Sequence, residues 1–432
     1  MGRLEPQYWA TSVAGLGVPR RDRAGGVYHA FVPDPLRGTT FVLDADVAAD
    51  VADATSAMTR LDVGARALRN TESLARLLLR AESVASSHIE GLRVSPQRLL
   101  RADVARAEGA HISDDTAREV LATVDAMAYA VRDVHAPVTV KRILEVHRRL
   151  LAHTDKAQHA GVVRTEQNWI GGSDFNPLNA AFVPPPWEAV DDLLEDLAGF
   201  CNGDELPAVV QAAIAHAQFE TIHPFVDGNG RTGRALICMV LGRRGLTTRV
   251  NPPISLALAA RAKDYVDGLE ATRYVGPLSA PPATAGMNRW IAFFAASCTR
   301  AVRDAELFEQ RVRQLQSRWI TRLGSVRSDS SAFTLLQSLP AMPVVTVSGA
   351  AKSLGRTFAA VNRAIDLLVA AKILTPVTAG RRNRVFEARE LIDAFTALER
   401  QLASPEGNTR TSKPMRSVPG RPQRGRDGQI AR

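Results

Sequence analysis

Only three cysteines occur in 432 residues: Cys201, Cys238 and Cys298. They are far apart, each in a stretch with helical patterning, and show neither zinc-ligand spacing nor a disulfide framework. They read as small buried hydrophobes in a reducing, cytoplasmic setting. No apolar run reaches bilayer-spanning length, so no membrane partner is expected. Residues Met1 to Pro6 lack the apolar core of a secretory signal. A Walker-type phosphate loop is missing, which argues against an ordinary P-loop ATPase. A strongly basic body is missing too. The net charge is +9, but from Ser404 onward seven basic residues face two acidic ones and supply five of those nine charges. The rest of the chain is only mildly basic for its size.

What is present is concentrated in one stretch, Thr221-Ile222-His223-Pro224-Phe225-Val226-Asp227-Gly228-Asn229-Gly230-Arg231-Thr232-Gly233-Arg234. Apolar helical runs flank it, so it reads as helix, tight loop, helix. Pro224 disfavours helix before it and predicts an end near His223. Gly228 and Gly230 permit backbone that other residues avoid. Free N–H groups at the start of the second helix make an anion-binding nest. Arg231 and Arg234, three apart, share a helical face beside it. Asp227 is placed to hold Mg2+, which takes one or two carboxylates plus phosphate oxygens. His223 is a base that works near neutral pH. Base, metal ligand, anion nest and two cations within twelve residues point to transfer of a group from a nucleotide.

The same residues fill every fixed position of His-x-Phe-x-(Asp/Glu)-Gly-Asn-Gly-Arg-x-x-Arg. The stretch therefore resembles the signature of Fic-domain proteins. The resemblance implies a helical fold that moves AMP from ATP, with Mg2+, onto a protein hydroxyl. It casts His223 as the base that deprotonates a target Ser, Thr or Tyr, and Asp227 as the Mg2+ ligand. The nucleotide site it implies runs through Gly228, Asn229, Gly230, Arg231, Thr232, Gly233 and Arg234. Phe225 is expected to pack inward.

The N-terminal residues up to about Asp44 read as loop, with Pro6, Pro19, Pro33, Pro35 and the glycines Gly15, Gly17, Gly25 and Gly26. Helices are expected over 44–62 and 71–90, the latter from its stripe of Leu74, Leu77, Leu78 and Ala81. Gly91 is a C-cap candidate. Ser86 and Glu90, four apart, share a face. A carboxylate at a helix C-terminus opposes the dipole, which favours a tertiary partner for Glu90. With Gly91 they resemble the inhibitory motif (Ser/Thr)-x-x-x-Glu-(Gly/Asn) of many Fic proteins. That implies a Glu90–Arg234 pair at the place of the ATP γ-phosphate. Further helices are expected over 96–108, 115–134, 139–153, 186–200 and 207–222. His147, His153 and His159, spaced by six, share no helical face, so no metal site is read there. Short apolar runs around 161–172 and 180–186 predict a hairpin. It resembles the Fic flap, which implies that Trp169, Ile170 and Gly171 sit near the target side chain.

Beyond the motif, helices are expected over 255–271 and 288–322, separated by a loop from Gly276 to Gly286. Fic proteins often set a tyrosine and an asparagine against adenine. Tyr265 is a candidate for the first, with core packing as its equal alternative. Thr272 and Arg273 stand where the asparagine is expected. Residues 333–395 read as helix, helix-turn-helix over 348–371, and two strands, 373–377 and 384–387, around a basic loop with Arg381 and Arg382. This resembles a winged helix. Its mostly apolar second helix favours protein docking over DNA. The tail from Ser404 has too few large apolar residues to fold.

The fold class expected is mainly α: a Fic helical fold with a β-hairpin flap, plus a small winged helix-turn-helix domain. The domains expected are an N-terminal region 1–110 with the inhibitory helix, a catalytic domain 111–322, the winged helix 333–400 and the tail 404–432. The function expected is AMP transfer to protein substrates, the chain itself and a homodimer among the partners considered. The alternatives are a DNA-binding regulator with a nucleotide-sensing body, and a hydrolase that removes AMP. The intact His223 argues against a degenerate sensor.

Overall fold

A computed structural model describes residues 1–10, 22–66, 71–377 and 384–401. The tail from Ser404, and the loop with Arg381 and Arg382, lie outside the described residues. The chain opens on strands β1 (Gly2–Trp9) and β2 (Gly26–Pro33). Helices α1 (Ala45–Arg66), α2 (Thr71–Ile89), α3 (Pro96–Ala107), α4 (Asp115–Ala130) and α5 (Val140–Leu151) follow. After a long connection come α6 (Val190–Cys201), α7 (Ala208–Ile222), α8 (Asn229–Arg243), α9 (Ile254–Ala260), α10 (Ala262–Ala271) and α11 (Pro281–Leu323). The last elements are α12 (Ser331–Ser338), β3 (Val344–Thr346), α13 (Val347–Leu354), α14 (Phe358–Ala370), β4 (Thr375–Pro376), β5 (Val385–Glu387) and α15 (Arg389–Gln401). The architecture is mainly helical.

Two compact units emerge: Met1–Arg93 with Asp114–Arg303, and Val94–Ser113 with Asp304–Arg432. In the first, α7 and α8 form the centre. All fifteen residues of α7 are buried, as befits a helix apolar on every side. Its polar residues are mostly satisfied inside. Gln211 donates to the carbonyls of Phe200 and Gly203, Gln218 to that of Asp34, and Thr221 to that of Ala217. Side-chain caps start the flanking helices: Asp114 accepts from Ala117 N–H before α4, and Thr139 from Arg142 N–H before α5.

In the second unit, β3, β5 and β4 form an antiparallel sheet in that order. Leu100 of α3 packs with Val344 and Ile392, and Arg101 pairs with the buried Glu387. The expected strands shrink to Thr375–Pro376 and Val385–Glu387, and β3 was not expected at all.

Several expectations need correction. The N-terminus is not loop: β1 pairs antiparallel with β2, Gly2 opposite Pro33 and Trp9 opposite Gly26. Pro6 is tolerated because a two-stranded sheet has only edges. The single helix expected over 255–271 breaks at Arg261, whose φ of −125° and ψ of 47° are not helical. Helix α11 starts at Pro281, inside the expected loop, because a proline suits the first helical position. Gly286 in its second turn approaches Ala271 too closely for any side chain. The expected hairpin reduces to one bridge, Ile170 opposite Phe182. The prolines 184–186 have no N–H to extend a ladder. Among the described residues no helix is long and apolar enough to cross a membrane.

Candidate active site

Helix α7 ends at His223 in the left-handed region, φ 48° and ψ 61°, its N–H bonded to Phe219 O at 2.9 Å. Such backbone costs a non-glycine residue about 1–3 kcal/mol and persists only when its surroundings enforce it. Here they do. Arg164 Nε donates to His223 O at 3.0 Å, and Asn168 Nδ2 donates to the carbonyls of His223 and Phe225. Asn229 spans the loop, accepting from Phe225 N–H at 2.9 Å and donating to Phe225 O at 2.8 Å. The Phe225 ring is fully buried and lies flat on His147, centroids 3.7 Å apart. His147 Nδ1 accepts from Gly161 N–H. Its Nε2 therefore carries the proton and donates to Asp227 O at 2.9 Å. Burial pushes the His147 pKa down to about 4, which keeps that neutral tautomer. His147 is thus a pillar of the loop.

This brace gives a first prediction. Asn229→Ala leaves Phe225 N–H buried without its partner, while Phe225 O keeps Asn168. Chemical denaturation should show a loss of about 1–3 kcal/mol. A loss below about 0.5 kcal/mol would mean that the brace is not needed.

Gly228, at φ 77°, is the N-cap of α8 and offers no side-chain cap. The first amide to bond back is Thr232 N–H, to Gly228 O at 3.0 Å. The amides of Asn229, Gly230 and Arg231 therefore have no acceptor within the helix. Arg231 is 4% exposed, and its Nε and Nη1 make no hydrogen bond. Its nearest carboxylates, Glu119 and Asp227, stand at 3.9 Å. Burial lowers the Arg231 pKa, and those acids oppose the shift. Asp227 is pulled down chiefly by Lys156, against the effect of its burial, and is ionised at neutral pH. Its Oδ2 takes Lys156 Nζ at 2.6 Å, and its Oδ1 takes Gly228 N–H.

Arg234 is 1% exposed. Its Nε donates to Ser86 Oγ and its Nη2 to Ser86 O, both at 2.8 Å. Nη2 also meets Glu90 Oε1 at 2.7 Å. Burial would lower the Arg234 pKa, but Glu90, Tyr265 and Glu220 together outweigh it and the net direction is up. The Glu90 carboxylate also lies on the bare backbone of Gly230, where any Cβ would collide with Oε1. Gly91, at φ 83°, closes α2 with its N–H on His88 O. One further turn back on the same stripe, Glu82 is buried and accepts from Ser255 N–H and Oγ–H of α9. Burial raises its pKa to about 7.

The His223 side chain is 20% exposed, with Nδ1 3.9 Å from Glu220 Oε2. Desolvation, then Arg273, lowers its pKa to about 4. Glu220 is raised to about 7 by burial, and its Oε1 has no hydrogen-bond partner. Gly233 abuts that oxygen, so it sits against α7. Thr232 is 1% exposed, its hydroxyl without a hydrogen-bond partner. Tyr265 is 5% exposed and its hydroxyl lies 2.7 Å from His216 Nε2. Trp169 meets Trp9 edge-on at 5.3 Å and donates to Ser173 O. Ile170 is 38% exposed, and Gly171, at φ 73°, packs on Ala181.

The structure thus gathers His223, Asp227, the turn 228–231, Arg234, Ser86 and Glu90 around one cradle. Sequence reasoning missed Lys156, Glu220, Arg164 and Glu82. Glu220 had a signal, lying three residues before His223 and so on its face; Glu82 had one too, at the spacing of Ser86 and Glu90.

Residues 137–241 match the model of the Fic/DOC family, and residues 48–132 that of the Fic/DOC family N-terminal region. Protein adenylyltransferase fic-1 of Caenorhabditis elegans is 34% identical over 134 residues, 30% of this chain and 23% of that protein. Protein adenylyltransferase Fic of Culex quinquefasciatus is 30% identical over 264 residues, 58% of this chain and 47% of that protein. The chain spans less than half the length of these curated relatives. A Fic family protein from Desulfovibrio desulfuricans G20 superposes with a TM-score of 0.49 at 18% identity, covering 81% of this chain and 97% of that one. That likeness is too loose to carry weight. The family matches enclose the whole motif loop as well as Glu90, so residues 48–132 and 137–241 are the part of this chain that is similar to the Fic/DOC family.

Proposed function

We propose that this chain transfers AMP from ATP to a hydroxyl side chain of a protein, and that Glu90 restrains the reaction. The carrying observation is Arg231, a buried cation with unused donors beside an uncapped helix start. A buried guanidinium is costly unless an anion completes it. A polyphosphate supplies that anion, with oxygens for the amides of residues 229–231.

The chemistry needs few parts. The target hydroxyl oxygen bonds to the α-phosphorus, the α–β bridging bond breaks, and pyrophosphate leaves. His223 takes the hydroxyl proton. Its ring is neutral in the free protein, and the incoming phosphate charge raises its basicity. Asp227 fits a Mg2+ ligand: an ionised, 34% exposed carboxylate beside the cradle. Magnesium normally takes one or two carboxylates and fills its other positions with phosphate oxygens and water. When bound, it would neutralise phosphate charge. Lys156 now pairs with that carboxylate and must yield it or share it.

Glu90 fits the restraint because its carboxylate lies in the cradle itself, on Gly230 and Arg234. The direct test is mass spectrometry of the Glu90→Gly protein after incubation with ATP and magnesium, alone and with a cell lysate. Proteins gaining one AMP, this chain among them, are expected. Absence of any adduct would sink the reading.

A second prediction concerns binding. In the Glu90→Gly protein, Arg231→Ala should weaken ATP binding about ten- to hundredfold by calorimetry. Charge-assisted hydrogen bonds are worth roughly 1.5–3 kcal/mol, and each 1.4 kcal/mol is tenfold. Unchanged affinity would take Arg231 out of the site.

A further inference from the structure

Arg273 follows α10 and belongs to no motif. Its guanidinium carbon lies 3.7 Å from the centre of the Phe182 ring. Phe182 is the residue that bridges Ile170. The guanidinium also leans on the last turn of α7, with Nε 3.5 Å from Thr221 Oγ1 and Nη2 3.5 Å from Glu220 O. Both contacts are at the outer limit of a hydrogen bond. The aromatic face therefore sets the position of this side chain. A planar guanidinium can lie flat on a ring, which an ammonium cannot.

We propose that Arg273 is a positioning residue that ties the bridge Ile170–Phe182 to the end of α7, so that the acceptor-facing segment and His223 keep a fixed relation. The inference rests on the AMP-transfer reading. Two consequences separate it from a filler of space. Losing the planar group frees Phe182 and Ile170 and misplaces the acceptor. Losing the charge changes His223. The charged groups around that ring are Arg273, Arg164 from the segment 161–172, Glu220 on α7 and Glu90 at the end of α2. After burial, Arg273 is the largest influence holding the ring neutral, and Arg164 adds to it. Glu90 and the Glu220 backbone carbonyl pull the other way.

The test compares Arg273→Met and Arg273→Lys in the Glu90→Gly protein, following self-AMPylation against pH. Arg273→Met should cut the plateau rate at least about tenfold, since small misplacements at a reacting centre are expensive. It should also move the acid limb up by about one pH unit, as expected when a nearby like charge is lost. Arg273→Lys should restore the limb and leave the plateau low. Phe182→Leu should lower the plateau without moving the limb. A Met variant that keeps the parent limb, or the parent plateau, overturns the proposal. If Glu90→Gly transfers no AMP, the AMP-transfer reading fails. The Arg273 proposal is then decided by NMR titration of His223 in the substrate-free protein. An unshifted ring in Arg273→Met overturns it, and a raised one sustains it.

Discussion

The His223→Ala protein is expected to transfer AMP at least about a hundredfold more slowly than its parent, with folding and ATP binding intact, because a positioned base contributes about 10²–10⁴-fold. The geometry separates the ring from the scaffold. What the loop holds is the His223 backbone, through Arg164 and Asn168 on its carbonyl. The ring itself makes no hydrogen bond through Nδ1. Alanine keeps the N–H to Phe219 but not the tolerance for positive φ, so a small stability loss is expected. The pH dependence follows from the same ring. Burial and Arg273 hold its pKa near 4, below the ordinary 6.5. Measured as kcat/KM, which reports the free protein, transfer should therefore persist below pH 6.5 and fall only as the ring protonates. Near-normal transfer by the alanine variant would sink the assignment, and an acid limb above the ordinary value would contradict the electrostatics.

Glu90→Gly should raise self-AMPylation and target labelling by roughly five- to hundredfold, the usual range of a coupling between two bound states. One carboxylate oxygen meets both Arg234 Nη2 and the Gly230 backbone. A γ-phosphate placed there meets a negative charge and loses its cation. Removing Glu90 takes away the carboxylate bonded to Arg234 and leaves it the neutral acceptors Ser86 Oγ and Ser86 O. The guanidinium is buried, so the substrate-free variant should melt lower and regain stability with ATP. That differs from an exposed pair, worth at most about 1 kcal/mol. Arg234→Ala should lose transfer, and the double variant should resemble Arg234→Ala alone. Transfer by Glu90→Gly no faster than the parent would defeat the restraint. Faster release of AMP from modified protein by the parent would point to the reverse reaction.

The loop was the most legible part of the chain, because its constraints are local. Pro224 stops α7, Gly228 starts α8, and the spacing of the arginines follows from helical period alone. Ser86 and Glu90 were legible for the same reason. Less local features were not. Pro6 obscured β1, whose partner β2 lies well downstream. The break at Arg261 carries no glycine or proline to mark it. The hairpin is shorter than expected because Asn168 and Arg164 spend their side chains on the motif loop, while three prolines forgo the ladder. Lys156 reaches Asp227 across 71 residues of sequence, and only folding brings them together. The membership of Val94–Ser113 in the second unit is equally a matter of tertiary packing.

The anchoring of α2 has a consequence for how the proposed restraint could be lifted. Glu82, Ser86 and Glu90 fasten successive turns of one helix to Ser255 and Arg234. The carboxylate proposed to compete with ATP is thus part of the same chain, and its effective concentration in the cradle does not change on dilution. Tethered groups commonly act at millimolar effective concentration or above, so a free nucleotide at millimolar levels competes on poor terms. Raising ATP alone should then be a weak activator. A signal that peels the last turns of α2 from α8, even transiently, would be a strong one, because all three attachments weaken together once the helix leaves.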